Sequence, residues 1–155
     1  MRLGRLTNGI SCEFKMQDDM KLWLSGLGYT FEVEYRVREV SRVADFLAIR
    51  ASKGLINIEA KCMDFECMDF ECMMKQLDDH AQYCDYSFAY IPDYAPTPKW
   101  FKEDLTKKGY GLIVYNYSGG TITEALESHV NTVKYRDLRS RIIHQIINKK
   151  RNETG

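Results

Sequence analysis

The stretch Val43-Ala44-Asp45-Phe46-Leu47-Ala48-Ile49, followed after four residues by Gly54-Leu55-Ile56-Asn57-Ile58-Glu59-Ala60-Lys61, decides how this chain is read. Both segments have the apolar, β-branched character of central strands, and Arg50-Ala51-Ser52-Lys53-Gly54 is short enough to join them as an antiparallel hairpin. Asp45, Glu59 and Lys61 break that pattern. A polar intrusion into a buried strand costs several kcal/mol in order of magnitude unless it is compensated. Strand periodicity sends Glu59 and Lys61 to one face with Ala60 opposite. Two acids on neighbouring strands repel each other, and a cation relieves that repulsion. Carboxylate oxygens suit hard divalent ions such as Mg2+ or Mn2+, and a lysine beside such an ion suits phosphodiester hydrolysis.

Working outward, Tyr29–Arg38 alternates apolar and polar residues, so Tyr29, Phe31, Val33, Tyr35 and Val37 are expected on one face of a half-buried strand. Before it, Met16, Met20, Trp23, Leu24 and Leu27 recur at helical steps, predicting a helix over 11–27 with Ser11 as its cap. Beyond Lys61, helical spacing over 71–84 leads to a strand at Tyr86–Ile91. A short helix around Trp100, Phe101 and Leu105 precedes a strand at Tyr110–Tyr117. Glu124–Val130 reads as a short helix, and Tyr135, Leu138, Ile142, Ile143 and Ile146 mark a final helix over 135–149. This order predicts an α/β fold with a mixed central β-sheet flanked by helices on both faces. The strand–helix–strand passage over 55–91 is expected to be a parallel crossover.

The 155 residues, 45% of them hydrophobic, are expected to form a single domain spanning 1–155. No apolar run approaches the roughly eighteen residues a membrane span requires, and no signal-peptide pattern opens the chain, so a cytoplasmic location is expected. The five cysteines, at 12, 62, 67, 72 and 84, lack the close pairing of structural zinc sites and read as free thiols. Met63-Asp64-Phe65-Glu66-Cys67 is repeated at once as Met68-Asp69-Phe70-Glu71-Cys72, a period that suits neither helix nor strand, so its first copy is expected in a loop.

Net charge is zero but unevenly spread: eight acids lie between Glu59 and Asp85, and seven Lys or Arg between Lys134 and Arg151. Arg36, Arg38 and Arg42, leading into the Asp45 strand, and Arg136 and Arg139 in the last helix are candidates to position a nucleic-acid backbone without reading bases. Solvated helix faces account equally simply for either charged segment taken alone.

Taken together, these residues resemble the PD-(D/E)xK nuclease superfamily, with Ala44-Asp45 in place of Pro-Asp and Glu59-Ala60-Lys61 as the (D/E)xK element. The resemblance covers residues 13–117 and is nearest to small stand-alone, Holliday-junction-resolvase-like DNA-repair members. It extends to Asp64-Phe65 or Asp69-Phe70 after the lysine, Tyr83-Cys84-Asp85, Phe88-Ala89-Tyr90-Ile91-Pro92 and Gly111-Leu112-Ile113-Val114. It implies a restriction-endonuclease-like core and a Mg2+- or Mn2+-dependent endonuclease acting on DNA, branched or single-stranded substrates included. It also assigns residues. Asp45, Glu59, the Ala60 carbonyl and Glu13 would hold metal; Lys61 would orient water or bind the scissile phosphate; Gln76 would contact phosphate or a metal-bound water. A non-catalytic nucleic-acid-binding protein on the same scaffold, and a nuclease acting on RNA, are the alternatives. Homodimerisation stays open.

Overall fold

A computed structural model describes the backbone over residues 2–61 and 70–154, and side chains over 14–61 and 70–153. The elements are α1 (Arg2–Gly26), β1 (Thr30–Val37), a 3-10 turn (Arg38–Val40), β2 (Arg42–Arg50), β3 (Gly54–Ala60), α2 (Phe70–Ala81), β4 (Tyr86–Pro92), α3 (Lys99–Lys108), β5 (Gly111–Asn116), β6 (Thr121–Leu126) and α4 (Arg136–Thr154). The six strands lie in the order β1-β2-β3-β4-β5-β6. β1, β2 and β3 form an antiparallel meander, β3, β4 and β5 run parallel, and β6 returns antiparallel to β5. The mixed sheet matches a restriction-endonuclease-like core. Among the described residues no helix is long and apolar enough to cross a membrane.

Strand alternation sorts the core into layers. Ile56 and Ile58 of β3, Phe88 and Tyr90 of β4, and Ile113 and Tyr115 of β5 pack under Met16, Met20 and Leu24 of α1. Those three α1 residues recur every four positions, so one helical stripe covers the sheet. The intervening strand residues face the other helices. Ala89, Ile91 and Leu112 lie under α2 and α3 through Met73, Met74, Leu77, Phe101 and Leu105. Leu47 and Leu55 lie under α4 through Leu138, Ile142 and Ile146. Gly111 permits the tight sheet packing, since a Cβ there would sit 2.4 Å from the Phe88 ring.

Three expectations need correction. The first helix begins at Arg2, so Ser11 lies inside it rather than capping it. Only glycines interrupt the preceding residues, each costing about 1 kcal/mol, and no proline stops the helix. Second, the expected helix over 124–130 is the strand β6 followed by irregular chain. Thr121, Ile122 and Thr123, leaving the Ser118-Gly119-Gly120 turn, suit an edge strand, and pairing with β5 overrides the helix preference of Glu124-Ala125-Leu126. The chain then straps back across the sheet end: His129 N–H donates to Gly109 O at 2.7 Å, Asn131 N–H to Asp85 O at 2.7 Å, and Lys134 N–H to Gln82 O at 2.8 Å.

The third correction places the site. The apolar residues of β1 do not share one face: Tyr29, Phe31 and Val33 pack toward α1, whereas Tyr35 and Val37 pack with the α4 cluster. Their β2 partners switch together, Phe46 (opposite Val33) facing α1 and Ala44 (opposite Tyr35) joining the α4 cluster. Between them Glu34 adopts a left-handed φ of 50°, a conformation that turns the strand over and is uncommon outside glycine. Asp45 sits in β2 where both strands invert.

Candidate metal centre

The β2–β3 ladder is regular from Arg50↔Gly54 to Phe46↔Ile58. Continuing its register by one residue would place Asp45 opposite Glu59. There the side chains replace the backbone pairing: Asp45 N–H donates to Glu59 Oε2 at 3.1 Å, and Ala60 N–H donates to Asp45 Oδ2 at 2.8 Å. Each acid thus accepts from a peptide group of the other's strand. The expected neighbourhood of Asp45, Glu59 and Ala60 is therefore present in the fold. Asp45, Ala60 and Phe46 line a cleft of about 200 Å3 together with Phe14, Met16 and Gln17 of α1 and Glu34 of the inverted turn.

Glu59 is 2% exposed. Its Oε2 also accepts from Asn57 Nδ2 at 2.8 Å. Burial, and secondarily the Asp45 charge, push the Glu59 carboxyl up to about 8, against the opposing pull of those hydrogen bonds and of Arg42. Without a cation this acid keeps its proton near neutrality.

His80 of α2 is completely buried, with Nε2 3.8 Å from Glu59 Oε2. Its Nδ1 shares a 2.5 Å hydrogen bond with the buried Tyr83 hydroxyl. Burial is the main force pushing its imidazole down to about 4, with Arg42 adding to it and Asp79 opposing. Among the described residues, the buried His80 Nε2 and Asn57 Oδ1 have no hydrogen-bond partner. The available signal was helical spacing: His80 continues the Met73–Leu77 stripe of α2 inward.

Lys61 directly follows β3, half-buried, and its N–H extends the parallel ladder to Tyr90 O at 2.9 Å. Gln76 is half-buried on α2, one turn before His80 on the same flank. The Glu13 side chain, and Asp64, Phe65 and Asp69 of the tandem repeat, lie outside the described residues. Among the described residues, no three His, Cys, Asp or Glu side chains group so as to hold a metal ion. Asp45 lines the cleft, Glu59 lies buried beside it, and Glu13 directly precedes the cleft-lining Phe14 in α1.

The arginine candidates separate. Arg36 and Arg38 are exposed at the end of β1 and in the turn after it, and Arg136 is exposed at the start of α4. Arg42 Nε pairs with Asp79 at 2.8 Å, and Arg139 holds Asp85 through Nε at 2.9 Å and Nη2 at 2.8 Å. Arg141 pairs with Glu39, and Lys149 with Glu32. Part of the basic stretch of α4 therefore fastens the helix to the molecule.

No protein-family profile matches this chain, and no curated protein sequence matches it. A solved structure described as the SPO1766 protein of unknown function from Silicibacter pomeroyi is similar in fold, with a TM-score of 0.60 and 15% identity. The match covers 84% of this chain and 80% of that one.

Proposed function

We propose that this chain is a metal-dependent endonuclease of the PD-(D/E)xK type, hydrolysing DNA phosphodiester bonds in repair, recombination or mobile-element replication. The observation that carries the reading is the crossed pair of hydrogen bonds tying Asp45 and Glu59 together where the β2–β3 ladder ends. A buried, protonated Glu59 beside a second acid is unfavourable as pure architecture and fits a divalent cation. Asp45, Glu59 and the Ala60 carbonyl, with Glu13, would hold Mg2+ or Mn2+. When bound, such an ion supplies an activated water and neutralises charge developing on phosphate.

The chain's own residues set the rest. Peptide N–H groups fix the two carboxylates, so their ligand oxygens are held before substrate arrives. Lys61, one residue past Glu59, provides a cation for the scissile phosphate or its attacking water. Asn57 holds Glu59 from inside the fold, and the His80 ring lies beside it. Gln76 is assigned to phosphate or metal-water contact, and Arg36, Arg38, Arg42, Arg136 and Arg139 to the DNA backbone. For Arg42 and Arg139 this requires exchanging an aspartate partner for phosphate. The whole of 1–155 would act as one nuclease domain in the cytoplasm, and homodimerisation is compatible with it.

The test is cleavage of branched, duplex and single-stranded DNA with Mg2+, Mn2+ or EDTA, using Asp45→Ala and Lys61→Ala. Activity that survives both EDTA and Asp45→Ala overturns the mechanism. The alternative reading is a non-catalytic DNA binder on a nuclease scaffold. That reading predicts salt-sensitive binding with no Mg2+-dependent turnover. Preferential cleavage of RNA in competition would instead reassign the substrate.

A further inference from the structure

The sheet end that carries Asp45 and Lys61 also carries a series of aromatic rings running outward to solvent. β3, β4 and β5 are parallel, so Ala60, Pro92 and Asn116 finish at the same end. Beyond Pro92 stands Tyr94, and beyond Asn116 stands Tyr117. Ring centroids step from Tyr90 to Tyr115 at 6.2 Å, Tyr115 to Tyr117 at 6.2 Å, and Tyr117 to Tyr94 at 6.0 Å, each pair nearly perpendicular. The two inner rings are fixed: Tyr90 OH donates to Met16 O at 2.9 Å, and Tyr115 OH to Asp19 Oδ2 at 2.5 Å. The outer end is open, with Tyr117 half-buried and Tyr94 51% exposed.

This series joins the cleft through α1. Lys15 Nζ stands 5.0 Å from the centre of the Tyr117 ring. Phe14, the preceding residue, is 61% exposed and lines the cleft beside Asp45. The cleft and the ring series thus meet at consecutive residues of α1, Phe14 at the cleft and Lys15 over Tyr117, whose ring neighbours Tyr94. About half of Tyr94 and more than half of Phe14 face solvent.

The chemistry of this ridge selects its occupant. Every nucleobase has a π-face that can stack on an exposed ring, but in a duplex those faces are already used. Gripping a duplex needs cations spread along two phosphate strands. Here the two tyrosines next to Lys15 also carry two acids, Asp19 on the Tyr115 hydroxyl and Asp93, whose Oδ1 accepts the Tyr117 N–H at 3.4 Å. That balance suits stacked bases and one nearby phosphate better than a duplex backbone. Resting on the nuclease reading for the cleft itself, we infer that the Phe14–Lys15–Tyr117–Tyr94 ridge stacks unpaired nucleotides of a DNA strand leading into the Asp45 cleft. The substrate class is then DNA with a single-stranded segment next to the scissile bond.

The experiment is fluorescence anisotropy in EDTA, where no metal-dependent turnover occurs. It uses labelled oligo-dT and a blunt hairpin duplex of equal length, with the wild-type protein, Tyr94→Ala, Tyr94→Trp and Lys15→Gln. Oligo-dT should bind about ten-fold tighter than the duplex. Tyr94→Ala should weaken oligo-dT binding about ten-fold while leaving duplex binding unchanged, and Tyr94→Trp should restore it. Lys15→Gln should weaken oligo-dT binding less and reduce its salt dependence. No preference for oligo-dT, or a preference that Tyr94→Ala leaves intact, overturns the inference. Tighter binding of an RNA oligomer through the same tyrosine overturns the assignment to DNA. Mg2+-dependent cleavage is read separately, so its absence would remove the nuclease reading without touching the ridge.

Discussion

The two ends of β3 each carry a carboxylate in the α2–α4 layer, and they are treated in opposite ways. At the Gly54 end, Asp85 Oδ2 accepts the Leu55 N–H at 2.8 Å and is held by two nitrogens of Arg139. Gly54, at φ 95°, leaves room for that carboxylate, since a Cβ would lie 2.3 Å from Asp85 Oδ2. This acid has a cation and a donor, and it joins α4 to the sheet. At the Ala60 end, Glu59 has donors but faces another acid and a histidine that burial keeps neutral. A carboxylate with its own cation holds the fold together, whereas a carboxyl kept protonated by burial and a neighbouring acid contributes no such tie.

The largest expected effect breaks the Ala60 end. Asp45→Ala should lower Mg2+-dependent DNA cleavage at least about a hundredfold, since even residues one step removed from a metal cost ten- to a hundredfold. Its thermal unfolding should stay close to wild type. A mutant that loses folding and retains specific activity would make Asp45 architectural.

Asp85→Ala should do the reverse, costing about 2 kcal/mol in urea denaturation with cleavage by the folded fraction retained. The figure lies below that of a fully buried pair because Asp85 and Arg139 are partly exposed. Unchanged stability would remove the proposed contrast between the two ends.

Glu59→Gln sharpens the comparison through pH. With its folded value raised to about 8 from an ordinary 4.5, Glu59 stays protonated in the fold while the unfolded chain ionises. Stability therefore falls as pH rises from about 4.5 to 8 and is level above that. Relative to wild type, Glu59→Gln should gain about 2 kcal/mol between pH 4 and pH 6, the amide's own burial cost being the same at both. Melts at the two pH values check this, and an equal difference at both would refute it.

His80 gives the smallest effect. Its folded value, lowered to about 4, means the unfolded chain takes up a proton first as pH falls below 6.5, so stability is lost between 6.5 and 4. His80→Gln should flatten that limb, by about 1 kcal/mol at pH 5.5, the part of the shift from 6.5 to about 4 already expressed there. An acid limb as steep in the variant as in wild type would assign it to other groups.

Much of this was legible in the sequence for local reasons. The meander announced itself through alternation and short turns, and Asp45 and Glu59 stood out because their strands are otherwise apolar. The inversion at Glu34 was not legible, because a left-handed φ at a non-glycine residue leaves no mark in composition or spacing. β6 was misread because Glu124-Ala125-Leu126 favours helix, and only the neighbouring β5 makes it a strand. Helical spacing puts His80 on the inward Met73–Leu77 stripe, but its meeting with Glu59 is a contact between elements that spacing does not report. Arg139 read as a surface cation because its partner Asp85 is 54 residues away.

The strands follow one another across the sheet in the order in which they occur in the chain. Asp45, Glu59 and Lys61 all fall within its first 61 residues, on the antiparallel half. During synthesis that half can pair on emerging from the ribosome, with no later strand needing to wedge between its members. Everything after Lys61 then adds to an open edge or closes over a surface already laid down.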